Sequence, residues 1–226
     1  MPFQIQGNGG IVAEVDGTNF RSQRVATRPI DYGALGMYRI SQATGTIAAA
    51  LAANAELYQF RWTDATRLAA IFGVRISGGA NVAATAAGLV TLEVAVARSF
   101  TAAGTGGAAA TITGNNQKLR SSMGTTLLGE SRIATTAALG AGTKTLDSQG
   151  IGNYSTGIGT GAITTAANLK IFDSIQIFCA NLEGGYHPLI LAQNEGFVIK
   201  NGATAWPAAM TWNLGVAVVW AELTSY

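Results

Sequence analysis

The chain has 226 residues, of which 48% are hydrophobic and only 12% are charged, about half of the share that is usual in globular proteins. Its 14 basic and 12 acidic side chains leave a formal net charge of +2, so nothing indicates the dense basic surface on which counterion-driven binding to nucleic acid depends. With one Cys and one His, the sequence excludes an intrachain disulfide and a zinc site built from three or four nitrogen and sulfur ligands.

Neither a secretory signal nor a transmembrane helix is indicated. Residues 1–7 lack the basic start and apolar run of a signal peptide. Residues 43–55 are mostly Ala and fall short of the roughly 20 apolar residues that span a bilayer. We therefore expect a protein that is made in a cytoplasm and has no membrane partner.

The strongest pattern along the chain is an alternation of apolar and polar side chains, which is typical of half-buried β-strands. It is clearest at residues 57–62, 88–100 and 211–220. Shorter strands are predicted, in chain order, at residues 11–15, 37–41, 71–77, 111–113, 131–135, 169–178, 188–192 and 196–200. Turn sequences with Gly, Asn and Asp separate them, and this number of short strands predicts an all-β sandwich.

Two segments between these strands have helical features. Residues 44–56 are rich in Ala, and Thr44 and Thr46 are available as caps. Thr63 and Asp64 precede residues 65–70 and can cap a single turn. The sequence therefore predicts one or two short helices beside the sheets.

Two long segments of small residues are predicted to be loops. Residues 101–110 consist of Ala, Gly and Thr, and residues 140–165 are dominated by Gly, Thr, Ser and Ile. Long loops in compact proteins are usually functional, disordered or ordered by a partner. We expect them to lie flat against a neighbouring subunit. No repeat or change of composition divides the chain, so residues 1–226 are expected to form one domain, with residues 1–35 as an extended N-terminal arm.

No segment carries a complete catalytic or phosphate-binding motif. The Gly clusters at residues 104–107 and 157–161 lack the helix that follows a dinucleotide-binding loop. His187 is not accompanied by a Gly-x-Ser-x-Gly motif that could supply a nucleophilic serine, and we predict a structural role for it. Cys179 follows an apolar strand and is predicted to be a buried, inert thiol. We therefore expect neither catalytic residues nor a metal or cofactor.

The four Trp residues fall into two groups. Trp62, Trp212 and Trp220 lie on regular alternating faces, where packing in the core is expected. Trp206 stands beside Pro207 in a loop and is the candidate for an exposed ring, either at a protein interface or as a platform for a sugar.

Basic residues cluster at Arg21, Arg24 and Arg28. Arginine is favoured at interfaces because its planar guanidinium pairs with two acceptors at once and is weakly hydrated. No aromatic residues are interleaved with the cluster, so the pattern favours a protein–protein interface over nucleic-acid contact.

A resemblance to known proteins rests on separate stretches of the chain. They are Arg61-Trp-Thr-Asp-Ala-Thr-Arg-Leu-Ala-Ala-Ile71 running into Val74-Arg-Ile-Ser77, Lys118-Leu-Arg-Ser-Ser-Met123, His187-Pro-Leu-Ile-Leu-Ala-Gln-Asn-Glu-Gly-Phe-Val-Ile-Lys-Asn201 and Trp212-Asn-Leu-Gly-Val-Ala-Val-Val-Trp-Ala-Glu222. Together they resemble virion structural proteins of tailed bacteriophages, which are often encoded near the major capsid protein.

This resemblance implies a β-sandwich of jelly-roll type that acts as a capsid cement or decoration protein. Such a protein is not an enzyme and holds no cofactor. Its partners would be the phage major capsid protein and further copies of itself in a homotrimer, and its place would be the capsid surface of the virion. A head-fibre, tail or adaptor component is the alternative within the phage particle. A carbohydrate-binding module is the alternative from another class.

Overall fold

The computed structural model describes residues 5–6, 12–13, 36–48, 50–160, 170–180 and 187–225, with the backbone alone at 5–6, 12–13 and 170–172. The chain divides into two compact units, residues 1–31 and 32–226. In the first unit, β1 (Ile5–Gln6) pairs antiparallel with β2 (Val12–Ala13). Most of the predicted N-terminal arm lies outside the described residues.

The described residues of the second unit form two antiparallel sheets. The five-stranded sheet contains β3 (Met37–Ala43), β5 (Leu68–Val82), β11 (Lys170–Cys179), β12 (Leu189–Leu191) and β14 (Thr211–Leu223). The seven-stranded sheet contains β4 (Glu56–Trp62), β6 (Gly88–Ala102), β7 (Ala108–Ala109), β8 (Leu128–Ile133), β9 (Thr143–Leu146), β10 (Gly152–Ile158) and β13 (Glu195–Asn201).

The strand order within the sheets is that of a jelly roll. The five-stranded sheet runs β11-β5-β14-β3, with β12 also paired to β5. The seven-stranded sheet runs β10-β6-β13-β4-β8-β7, with β9 also paired to β6. The chain passes from one sheet to the other at each principal connection except the one from β6 to β10. This alternation builds the double Greek key of a jelly roll, so the predicted all-β sandwich is confirmed.

The core lies between the two sheets and follows from the alternation in the sequence. On β14 the side chains of Trp212, Leu214, Val216, Val218 and Trp220 are buried, whereas Asn213 is exposed. Across the sandwich, the ring of Phe60 on β4 meets Trp220 edge-on with centroids 5.3 Å apart. Trp62, Trp212 and Trp220 are 0% exposed, which confirms their predicted place in the core.

The prediction of one or two short helices is wrong, because the described residues contain none. In the first candidate segment, Ile47 forms a β-bridge with Trp212, and Ala50 and Asn54 adopt positive φ angles that no α-helix allows. In the second, the Asp64 carboxylate accepts bonds from the Thr66 and Arg67 amides, as a cap does, but β5 begins at once at Leu68. The pairing of β5 with β14 overrides the local helical preference.

Parts of the two predicted loops are strands, and residues 111–113 are not a strand. β7 lies within residues 101–110, while β9 and β10 lie within residues 140–165. β9 and β10 both pair with β6 and so extend the seven-stranded sheet. Uncharged Gly, Ser and Thr residues obscured these strands, because they give little apolar alternation.

The described small-residue segments also lie against their own sheet. The Gly104 amide donates to the Gln59 Oε1 atom at 2.8 Å, and the Gln59 Nε2 atom donates to the Gly140 carbonyl at 2.9 Å. A Cβ atom on Gly104 would lie 1.7 Å from the Gly140 oxygen. Glycine at residues 104 and 140 therefore permits backbone packing within the chain. The expectation that these segments lie against a neighbouring subunit stays a prediction.

Candidate interaction surfaces

The structure describes only one of the four residues predicted to form an interface. Arg21, Arg24 and Arg28 lie outside the described residues. Trp206 lies in the connection between β13 and β14, as predicted for a loop, but it is only 3% exposed.

The expectation of an exposed Trp206 ring is wrong because the ring packs on Trp212 of β14 and the β3–β4 connection lies against the Trp206 backbone. Its centroid lies 3.8 Å from that of Trp212, and its backbone amide donates to the Leu51 carbonyl at 2.9 Å. A large indole ring gains more from burial in a packed core than from contact with water. The buried ring offers no face for stacking on a sugar.

The prediction from the sequence for the thiol of Cys179 is also wrong. Cys179 is exposed at the end of β11, and the predicted burial is wrong. His187 is exposed just before β12. Among the described residues, no group of three His, Cys, Asp or Glu side chains could hold a metal ion, and no helix could span a membrane.

Most described carboxylates are engaged in ion pairs that hold strands and connections together. These pairs are Arg61–Glu130, Arg67–Glu222, Arg98–Asp147, Arg98–Glu195, Arg132–Glu130, Lys144–Glu56 and Lys200–Glu93. The Asp64 carboxylate accepts hydrogen bonds from the Thr66 hydroxyl and from the Thr66 and Arg67 amides, and these bonds hold the pKa of Asp64 below the usual value. These acidic side chains therefore stabilise the fold.

Glu222 is the most deeply buried of these carboxylates. Its side chain is 0% exposed and accepts bonds from the Thr126 hydroxyl at 2.6 Å and the Leu127 amide at 2.8 Å. Burial raises the pKa of Glu222 above the usual value, while these bonds and Arg67 oppose the shift. Glu222 therefore ties the segment before β8, in the seven-stranded sheet, to β14, in the five-stranded sheet.

A second buried pair lies on the outer side of the seven-stranded sheet. The Lys144 ammonium is 2.8 Å from a Glu56 carboxylate oxygen, and their side chains are 2% and 9% exposed. The same ammonium stands 4.9 Å from the centre of the Phe100 ring, and the Gln59 amide donates to Glu56 at 2.6 Å. Partners within the chain satisfy these charges, so they do not form an open site.

One end of the sandwich carries no charge at all in its connections. The jelly-roll order brings to this end the connections β3–β4, β5–β6 and β13–β14 and the start of the β10–β11 connection. Their described residues are 44–48, 50–55, 83–87, 159–160 and 202–210. Residues 134–139 after β8 join them. None of these segments contains Asp, Glu, Lys, Arg or His. We call this surface the charge-free end.

Backbone bonds hold the charge-free end together. The Thr85 amide donates to the Ala208 carbonyl at 3.3 Å, and the Ala48 amide donates to the Thr136 carbonyl at 3.0 Å. The buried Asn201 side chain donates to the Ala52 carbonyl at 2.8 Å. The connections therefore form one ordered surface from segments that are distant in the sequence, which is why sequence reasoning did not find it.

Methyl and hydroxyl groups dominate the exposed part of the charge-free end. Its exposed residues include Thr46, Ala48, Ala52, Ala53, Thr85, Ala86, Ala87, Thr135, Thr136, Ala137, Ala203, Thr204, Ala205, Ala208 and Ala209. Two of the exposed large hydrophobic side chains, Val82 at 50% and Leu89 at 57%, stand at its base. The opposite end contrasts with it, since Asp64 and Arg67 lie in the β4–β5 connection there.

An open hollow of about 380 Å³ lies on the five-stranded sheet. The hollow forms where Ala43, Gly78 and Gly215 have small side chains or none. Its lining also includes the polar residues Thr44, Ser77, Asp173, Ser174 and Asn213. Hydroxyl, amide and carboxylate groups are donors and acceptors suited to a small polar ligand.

Comparison with known proteins adds no relative. No family model, no curated protein and no solved structure matches the chain.

Proposed function

We propose that the protein is a non-enzymatic structural subunit of a tailed-phage particle, which decorates the capsid surface and cements its lattice. Three observations support this proposal: the sequence stretches that resemble phage virion proteins, the jelly-roll topology and the charge-free end. Jelly rolls occur in viral capsid proteins as well as in lectins, so the fold is compatible with the proposal.

The observation that carries the proposal is the charge-free end. The centres of protein interfaces are depleted in charged residues, because burial of an unpaired charge is costly. A surface of Ala methyl and Thr hydroxyl groups can be covered without that cost, and its short side chains lose little conformational entropy. We therefore assign the charge-free end to contact with the major capsid protein, and we retain the homotrimer as the proposed form of the decorating subunit.

Charges introduced at the charge-free end should abolish capsid binding. Ala86 and Ala208 are exposed in neighbouring connections, so the variant A86K/A208K places two ammonium groups on this surface without filling the core. Co-sedimentation with expanded capsids of the phage that encodes the chain should show a loss of binding of at least about tenfold, since a buried unpaired charge costs several kcal/mol.

The matched control is S121K/T125K, which adds the same charge at two exposed residues between β7 and β8. It should bind capsids like the wild type. Equal binding of A86K/A208K and the wild type would contradict the assignment. Copy number per particle separates the alternatives, because hundreds of copies indicate the shell, whereas a dozen or fewer indicate a fibre, tail or adaptor.

A carbohydrate-binding module is the second candidate, and the hollow on the five-stranded sheet is the observation that favours it. With Trp206 buried, glycan binding would depend on the polar residues of the hollow. A glycan array is the appropriate test, and D173A/S174A should abolish any signal that comes from this site. A signal that survives this variant would contradict binding in the hollow.

A further inference from the structure

A buried cluster on the outer side of the seven-stranded sheet brings an amine, a carboxylate and a carboxamide together. Lys144 of β9 has a side chain that is 2% exposed, and Glu56 and Gln59 of β4 are buried. One oxygen of Glu56, Oε2, lies 2.8 Å from the Lys144 Nζ atom and accepts from the Gln59 Nε2 atom at 2.6 Å. The amine and the amide nitrogen are therefore no farther apart than the sum of these two distances.

Three hydrogen bonds fix the orientation of the Gln59 carboxamide. Its Nε2 atom donates to Glu56 and to the Gly140 carbonyl, while its Oε1 atom accepts from the Gly104 amide at 2.8 Å. A backbone N–H group aimed at a carbonyl oxygen stabilises the negative charge that this oxygen gains when a nucleophile adds to the carbon. The amide nitrogen points at a carboxylate oxygen, which can deliver a proton to it as it leaves.

The surroundings of Lys144 favour attack by its amine over attack by water. The Nζ atom donates to the Ala141 carbonyl and stands 4.9 Å from the centre of the Phe100 ring. A lysine amine is nucleophilic when it is neutral, and Lys144 reaches that form by passing a proton to Glu56. Because the cluster is buried, water does not compete for the carbonyl carbon of Gln59.

We propose that Lys144 and Gln59 form an intramolecular isopeptide bond without the help of another enzyme. The Nζ atom bonds to the Gln59 Cδ atom, and an electron pair of the carbonyl moves onto Oε1. It returns when the bond between Cδ and Nε2 breaks. Glu56 takes two protons in turn from Nζ, passes one to Nε2, which leaves as ammonia, and retains the other. An ammonium, a carboxylate and a primary amide thus become ammonia, a carboxylic acid and a secondary amide, so atoms and charges balance.

The product has two advantages for the folded chain. It replaces a buried ion pair by neutral groups, which removes the cost of keeping two charges away from water. It also joins β4 to β9 covalently, and a crosslink between residues so far apart in the sequence restricts the unfolded chain. The reaction does not depend on capsid attachment, because all the reacting groups belong to one chain.

A second lysine of the same sheet provides an internal comparison. The Lys200 Nζ atom donates to Glu93 at 2.7 Å and to the Asn54 Oδ1 atom at 3.0 Å, so it also has a carboxylate and a carboxamide beside it. However, Asn54 is exposed, and it contacts the pair through its oxygen and not through the nitrogen that would have to leave. Lys200 is therefore the matched control for Lys144.

Tryptic digestion of the denatured full-length chain, followed by tandem mass spectrometry, tests the bond. Trypsin needs a free lysine side chain, so cleavage after Lys144 should be lost. We expect a branched peptide that joins residues 40–61 to residues 133–170 and is lighter than the two together by one ammonia molecule. The linear peptide of residues 133–144 should be absent. A wild type that yields only linear peptides would overturn the proposal.

Variants of the cluster assign the reacting groups. K144R keeps a positive charge beside Glu56 but supplies no nucleophilic amine, so it should give no branched peptide. E56Q keeps the shape of the side chain but cannot carry the protons, and it should lower the yield at least about tenfold. The control K200R should give the yield of the wild type. A branched peptide that persists in K144R, an unchanged yield in E56Q or a loss of the bond in K200R would also overturn the proposal.

Discussion

Glycine residues allow the segments around residues 104 and 142 to pack closely against each other. At Gly104 a Cβ atom would lie 1.7 Å from the backbone oxygen of Gly140, and at Gly142 it would lie 2.3 Å from the oxygen of Ala102. Backbone atoms cannot move aside as a flexible side chain can. These glycines are therefore required for packing within the chain, beyond any role in turns.

Replacement of Gly104 by alanine tests that requirement. G104A should lower the free energy of unfolding by about 1–3 kcal/mol, because the added methyl group forces the two connections apart. Urea denaturation measures the change. Gly159 is the matched control, since its Cβ atom would meet nothing within 4 Å. Equal destabilisation by G104A and G159A would contradict the packing argument.

The buried Glu222 gives the protein a pH dependence of stability with a definite sign. Burial raises the pKa of Glu222 in the folded chain above the ordinary value of 4.5 for a glutamate. Between that value and the raised pKa, the folded chain holds more protons than the unfolded chain, so this group makes the free energy of unfolding fall as pH rises.

The variant E222Q removes this titration. In urea denaturation between about pH 4.5 and pH 7.5, its free energy of unfolding should fall less steeply with pH than that of the wild type. Identical slopes for the two proteins would contradict the raised pKa. A steeper fall in E222Q would reverse the predicted sign.

At the scale of elements, the sequence predicted the strands in which large apolar side chains alternate with others and missed the strands that consist mostly of small or polar residues. β4, β6 and β14 show apolar alternation, because every second side chain meets the opposite sheet. β10 alternates Gly, Asn, Tyr, Ser and Thr at the edge, where backbone pairing with β6 determines the structure. The helices predicted from Ala content failed because tertiary pairing outweighs the small differences in helix propensity.

The charge-free end could not be predicted as a surface, although each of its residues is visible in the sequence. The four connections are separated by whole strands, and only the jelly-roll order brings them together. Trp206 shows the same limit, because a ring beside Pro207 looks exposed until residues 44–55 are seen to close over it.

Replacement of Trp206 should therefore act on stability. W206A removes a buried ring that contacts Trp212 and should lower the free energy of unfolding by about 3–5 kcal/mol. Thermal unfolding followed by circular dichroism measures the loss. W206F should restore part of the stability, because it retains an aromatic ring in the same space. Full stability of W206A would contradict the buried packing.

On the scale of the whole molecule, charge is distributed very unevenly. Ion pairs such as Lys200–Glu93 and Arg98–Glu195 lie along the seven-stranded sheet, while the charge-free end has methyl and hydroxyl groups. A contact made by that end involves no ion pairs. Its affinity for capsids should consequently change little between about 50 and 500 mM salt, whereas contacts between charged surfaces weaken strongly. Co-sedimentation across this range checks the prediction, and a steep loss of binding would contradict it.

The central claim is that the protein stabilises a phage capsid by binding its lattice through the charge-free end. The most direct measurement is the melting temperature of expanded capsids that lack the protein, before and after its addition. The claim predicts a higher melting temperature with the wild type and no increase with A86K/A208K. Equal melting temperatures with and without the wild-type protein would contradict it.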